Sequence, residues 1–210
     1  MSWTEEKTKR LIAEMERMYP APECALHFGS LFQLVIAVAL SAQTTDKQVN
    51  VVTEALFRDY PDAESLSKAR PEEIEEYIRR IGMYKTKAKN IVAAAQKIME
   101  DYGGEVPVTF EELVKLPGVG RKTANVVLAV GCGVPAIPVD THVFRVANRI
   151  GIVHEKDVLK TELALMKQLP KETWIDMHHG LIWHGRLVCK ARKPECDVCG
   201  ISGICEFGAE

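Results

Sequence analysis

Cys189, Cys196, Cys199 and Cys205 all fall within residues 189–205, spaced C-x6-C-x2-C-x5-C, in a stretch interrupted by Pro194, Gly200 and Gly203. Four thiols in one short irregular segment point to a metal centre. Structural zinc modules usually pair two short C-x2-C knuckles or exchange cysteines for histidines at fixed offsets. Only one C-x2-C is present here, and all four sulfurs come from one continuous loop, as in segments that wrap an iron–sulfur cube. The spacing therefore favours a [4Fe–4S] cluster over zinc. Two disulfides are the remaining alternative and need an oxidising compartment. Residues 1–19 are charged and amphipathic with no apolar export segment, which argues against it and for a cytoplasmic protein.

The chain has 210 residues, of which 47% are hydrophobic and 27% charged, an ordinary globular balance that permits one compact unit or two modest ones. The longest apolar run, Leu34 to Leu40, is far too short to span a membrane and reads as a buried core helix. The net charge is −2, so bulk charge does not announce a polyanion ligand; any such site must come from local clustering and backbone dipoles. Cys24 and Cys132 lie in apolar surroundings and read as small core residues.

Apolar residues recur at three- and four-residue steps through Ile91, Ala94, Ala95, Ile98 and Tyr102, and through Val143, Val146, Ala147 and Ile150. Proline and glycine punctuate the chain at Pro20, Pro22, Pro61, Pro71, Gly103-Gly104 and Gly133 to Pro138. The pattern predicts roughly ten helices, no clear strands and an all-α fold. The clearest internal boundary is Gly131-Cys132-Gly133-Val134-Pro135, with a cleft between two helical lobes expected near it.

Two segments carry chemistry. Residues 109–131 read as helix, tight turn, helix, with Thr109 as a cap and Glu112 completing a capping box. In the turn Leu116-Pro117-Gly118-Val119-Gly120, the glycines tolerate strained backbone and leave amides bare at the start of the next helix. That is an anion site suited to a phosphodiester, against the plainer reading of a simple helix–helix turn. Lys122 then falls in the first turn of the second helix, where the dipole disfavours positive charge. Either a bound anion neutralises it or its amine acts uncharged, as a nucleophile. Asp140 is a good N-cap for a helix over 141–150 ending at Gly151. A capping carboxylate is also fixed in direction, so it can stabilise positive charge developing on a sugar whose glycosidic bond an amine attacks.

Together, Ser41-Ala42-Gln43-Thr44-Thr45-Asp46, Leu116-Pro117-Gly118-Val119-Gly120-Arg121-Lys122-Thr123-Ala124, Val139-Asp140-Thr141-His142 and the cysteine loop occur in the order and at the separations of one family. From about Tyr19 to Cys205 the chain resembles the endonuclease III family of helix-hairpin-helix DNA glycosylases. The resemblance implies a six-helix barrel over residues 23–133, carrying the hairpin at 109–131, and an iron–sulfur lobe formed by 1–22 with 134–210. It implies removal of oxidised or ring-damaged pyrimidines from duplex DNA, followed by strand cleavage through β-elimination. On this pattern Lys122 is the Schiff-base lysine, Asp140 the catalytic aspartate, and Cys189, Cys196, Cys199 and Cys205 the cluster ligands. Gly118, Val119 and Gly120 would meet the DNA backbone. Gln43 would fill the gap left by the extruded base, and Met83, flexible and apolar, would act as a wedge.

Lys190, Arg192 and Lys193 lie inside the cysteine loop, where wrapping a cluster would present them to phosphates; a solvated charge run is the alternative. The expected partners are duplex DNA with damaged pyrimidines or abasic sites, with no membrane and no second copy, and the expected place of action is the bacterial nucleoid. An adenine-removing relative is disfavoured because Val38 stands about where its catalytic glutamate is expected, and Lys122 disfavours a mismatch thymine glycosylase. A non-catalytic binding or redox module would leave Lys122 and Asp140 without a role.

Overall fold

A computed structural model of the chain describes residues 3–209. Among the described residues the regular structure is helical throughout, with eleven α-helices, one π-helical segment and short 3-10 turns. The chain divides into two compact units, each with its own apolar core. One is the continuous segment Cys24–Val134; the other joins Met1–Glu23 to Pro135–Glu210.

The continuous unit is built around α2 (Leu31–Leu40). Ser30 caps it through Gln33 N, and the apolar run that follows buries Phe32, Leu34, Val35, Ile36, Ala37, Val38 and Leu40. A helix apolar on most of its circumference can only sit inside a core. Truncating Leu34 or Ile36 to alanine is expected to cost about 2–5 kcal/mol. Around it pack α3 (Asp46–Asp59), α4 (Ala63–Ser67), α5 (Pro71–Ile78) and α6 (Tyr84–Tyr102). The hairpin helices α7 (Phe110–Leu113) and α8 (Arg121–Val126) follow, and α8 widens into a π-helical turn over Val127–Gly131. In α6, four residues of the apolar stripe read from the sequence, Ile91, Ala94, Ala95 and Ile98, are buried, and the fifth, Tyr102, is half-buried at the helix end.

In the second unit α1 (Glu5–Met18) is capped by Thr4 and buries Leu11 and Met15. α9 (Thr141–Ile150) turns Val143, Val146, Ala147 and Ile150 inward, and α10 (Val158–Gln168) and α11 (Trp174–Leu187) complete the helical frame. Gly185 lets α11 lie close on α9, since a β-carbon there would stand 3.0 Å from His142 Cβ. The cysteine loop follows α11 in short 3-10 turns. Among the described residues, no helix is long and apolar enough to cross a membrane.

Candidate active site and cysteine loop

The hairpin turn depends on Gly118, whose φ of +80° is left-handed. A side chain there would also be tight, because an added β-carbon would meet Asn90 Cβ at 3.0 Å. Gly120 differs from the expectation of strain: it is the N-cap of α8 in ordinary extended geometry, φ −93° and ψ 179°, with open space where a β-carbon would lie. What glycine supplies at that position is absence: no side chain caps the helix, so the first-turn amides of α8 receive no acceptor from their N-cap. Val119 is buried and its amide donates to Leu116 O at 3.0 Å, which closes the turn. Lys122 is the second residue of α8 and is exposed, with no hydrogen bond or ion pair to another described residue.

The capping box expected at Thr109 does not form. Thr109 precedes α7 in extended geometry but its side chain makes no cap bond. Glu112 is drawn elsewhere: it accepts from Lys115 Nζ at 2.7 Å and from the Tyr102 hydroxyl at 2.6 Å. Lys115 and Tyr102 together hold its carboxyl below the usual range. A cation and a phenol outbid one backbone amide for the same oxygens.

Asp140 is the N-cap of α9, as the sequence predicts. Its Oδ1 accepts from both His142 N and Val143 N, each at 2.8 Å. Oδ2 accepts no hydrogen bond from the described residues. One oxygen therefore fixes the carboxylate, and capping does not engage the other. Gln43 and Met83 are both exposed and both left-handed despite being non-glycine, with φ of +55° and +56°. Met83 is 54% exposed and is the N-cap of α6 without any side-chain cap bond. Non-glycine residues held in that region store strain that the surroundings must maintain.

In the cysteine loop all six cysteines of the chain are outside disulfides, and the four clustered ones are half-buried. Burial pushes the Cys199 and Cys205 thiols up, and each also feels the other loop cysteines. The His184 ring lies between Tyr19, at 3.0 Å from the phenol, and the Cys199 sulfur at 3.6 Å. Burial pushes His184 down to about 4. Lys190 is paired with Glu195, whereas Arg192 and Lys193 are exposed without an ion pair to any described residue.

Residues 36–171 match the family described as HhH-GPD superfamily base excision DNA repair protein, and residues 189–205 match the iron–sulfur binding domain of endonuclease III. The endonuclease III of Bacillus subtilis (strain 168) is 53% identical over 192 residues, covering 91% of this chain and 88% of its own. That of Escherichia coli (strain K12) is 44% identical over 203 residues, covering 96% of each. A solved structure of a trapped endonuclease III–DNA covalent intermediate superposes with a TM-score of 0.93 at 46% identity, over 99% of this chain and 98% of that one. The chain belongs to the endonuclease III family.

Membership gives the cysteine loop its cofactor, a [4Fe–4S] cluster. The residues fit it. Four half-buried thiols on one loop would repel one another as thiolates, and a cationic iron–sulfur core is what would stabilise them together. Cys189, Cys196, Cys199 and Cys205 would hold the cluster, which supplies a covalent staple for the loop.

Three residues that matter for this endonuclease III fold escaped the sequence reading. Arg145 Nη2 donates to Gly185 O at 2.9 Å and to Cys189 O at 3.1 Å. Arg149 donates to Lys190 O at 2.7 Å and Ala191 O at 3.0 Å, and its guanidinium stacks on Phe207 at 4.5 Å. Both arginines stand on α9, so the helix that Asp140 caps is bolted to the cysteine loop. The third is Lys87, a lysine only 6% exposed inside the continuous unit. Its signal was legible: it lies four residues before Ile91 on the apolar phase of α6, where a lysine breaks the pattern.

Proposed function

We propose that the chain is a bifunctional DNA glycosylase and abasic-site lyase of base excision repair, acting as a monomer in the cytoplasm on nucleoid DNA with oxidised or ring-damaged pyrimidines. The observation that carries it is Lys122, an exposed and unpartnered amine in the first turn of α8, directly after a glycine turn whose amides lack a side-chain cap. The first-turn amides attract a phosphate, which offsets the unfavourable placing of a lysine at a helix start. The solved relative trapped as a covalent intermediate with DNA supports the same chemistry.

The target sugar carbon is shielded in a stacked duplex, so the nucleotide must swing out before reaction. A damaged pyrimidine stacks poorly, which lowers that cost and supplies part of the selectivity. The Lys122 amine bonds to C1′ as the bond from C1′ to the base breaks, and the base leaves with the electron pair and takes up a proton. Asp140, through its uncommitted Oδ2, stabilises the positive charge that develops on the sugar. Opening of the sugar gives an iminium between Lys122 and C1′, which acidifies the C2′ proton. Loss of that proton expels the 3′ phosphate and leaves a C2′–C3′ double bond; water then releases the lysine. Gln43 and Met83 fill the space left by the extruded nucleotide. Arg192 and Lys193 hold phosphates; Lys190 contributes less because Glu195 already neutralises it.

The test is borohydride reduction of the iminium with a duplex oligonucleotide bearing thymine glycol. A covalent protein–DNA adduct is expected from the wild type and none from Lys122→Ala. An equal adduct yield from Lys122→Ala removes the assignment.

A further inference from the structure

Lys87 is buried, yet no carboxylate is bonded to it; its three N–H groups all go to the end of α2 and the loop that follows. Nζ donates to Leu40 O at 2.9 Å, to Ala42 O at 2.7 Å and to Thr44 Oγ1 at 3.0 Å. Leu40 ends α2, so the ammonium also sits at the negative end of that helix's dipole. Thr44 tightens the same loop, its amide donating to Ser41 O at 3.0 Å and its hydroxyl to Ala42 O at 3.3 Å. On the other side, the Lys87 amide donates to Met83 O at 3.0 Å. One residue thus grips the carbonyl just before Gln43 with its side chain and the carbonyl of Met83 with its backbone. A second strap runs in parallel, from Gln48 Nε2 to Arg80 O at 2.7 Å.

Packing alone does not ask for this lysine. Ile91, Ala94 and Ile98 on the same face are apolar, and burying an ammonium carries a desolvation penalty that a methionine or leucine would avoid. What the charge adds is direction: three fixed bonds, one to the last residue of α2 and two to the irregular loop that follows it. Gln43 and Met83, the two strained non-glycine residues flanking this grip, are the ones that need holding.

We propose that Lys87 is a positioning residue that fixes the spacing between Gln43 and Met83, so that both side chains enter the duplex together at the emptied position. This rests on the glycosylase reading above and names how its extrusion step is organised. Lys87 touches no reacting atom.

The experiment compares wild type, Lys87→Met, Lys87→Arg and Thr44→Val in two measurements. The first is the rate of borohydride trapping on duplex thymine glycol. The second is fluorescence at saturating protein of a duplex carrying a tetrahydrofuran abasic analogue opposite 2-aminopurine, which brightens when an inserted side chain unstacks it. Lys87→Met is expected to lose about tenfold or more in trapping rate, the scale of a misplaced positioning group. Its saturated fluorescence should fall with it. Thr44→Val should shift both in the same direction by less, and Lys87→Arg should recover part of each, because the guanidinium keeps charge and donors. A Lys87→Met protein with the wild-type saturated fluorescence overturns the proposal, whatever its rate, since a residue that only supports the fold would not move that signal selectively. Wild type that traps DNA but shows no brightening overturns it as well. Wild type that traps no DNA sinks the glycosylase reading instead. Should Lys87→Met not fold, Thr44→Val decides on the same two signals.

Discussion

Asp140 performs two tasks with two oxygens, so substitutions can separate them. Oδ1 accepts the His142 and Val143 amides, each at 2.8 Å, and Oδ2 is left over. Asparagine keeps an oxygen in the Oδ1 position and ranks with aspartate as an N-cap, so Asp140→Asn should preserve α9 to within a few tenths of a kcal/mol. Alanine leaves both amides without their acceptor and should cost about 1 kcal/mol, typical of a lost cap. For a chain of this size that is a fall in Tm of roughly 2–4 °C. α9 itself should survive, because Val143, Val146, Ala147 and Ile150 remain anchored in the core of its unit. Activity should follow a different order. Asparagine is neutral and cannot offset charge developing on the sugar, so both variants should lose on the order of 10²–10³ in single-turnover base release, the scale of a group aimed at transition-state charge. The assay is base release from a thymine glycol duplex beside thermal unfolding of the same preparations. Asp140→Asn with wild-type base release would reduce Asp140 to a cap. Equal losses of Tm in the two variants would refute the division of labour between the oxygens.

Gly118→Ala should destabilise the chain by about 1–2 kcal/mol, because alanine pays for left-handed backbone and crowds Asn90. Gly120→Ala should leave Tm nearly unchanged, since its backbone is extended and its surroundings open, yet weaken binding to an abasic-site duplex if phosphate approaches there; measuring Tm and affinity for both separates turn from contact. Purified protein should carry about four irons per chain with broad visible absorption. A colourless protein holding zinc would overturn the cluster, and Cys199→Ser should bleach the absorption. Arg192→Ala and Lys193→Ala should each weaken DNA binding and reduce the slope of log K against log salt by about one, measured by titration at several salt concentrations. An unchanged slope in both would return them to a solvated charge run.

Local chemistry was readable directly from the chain. The cysteine spacing, the helix periods, the cap at Asp140 and the breaker at Gly118 each depend on residues within a turn or two of one another, so the sequence alone determined them. Contacts from far along the chain decided the rest. Arg145 and Arg149 became supports of the cysteine loop only when α9 met residues some forty positions later. The apolar phase of α6 marks Lys87 as a residue turned inward, but only folding brought the end of α2 onto its ammonium. Backbone carbonyls at helix ends are present in every sequence; which cation comes to satisfy them is settled by packing.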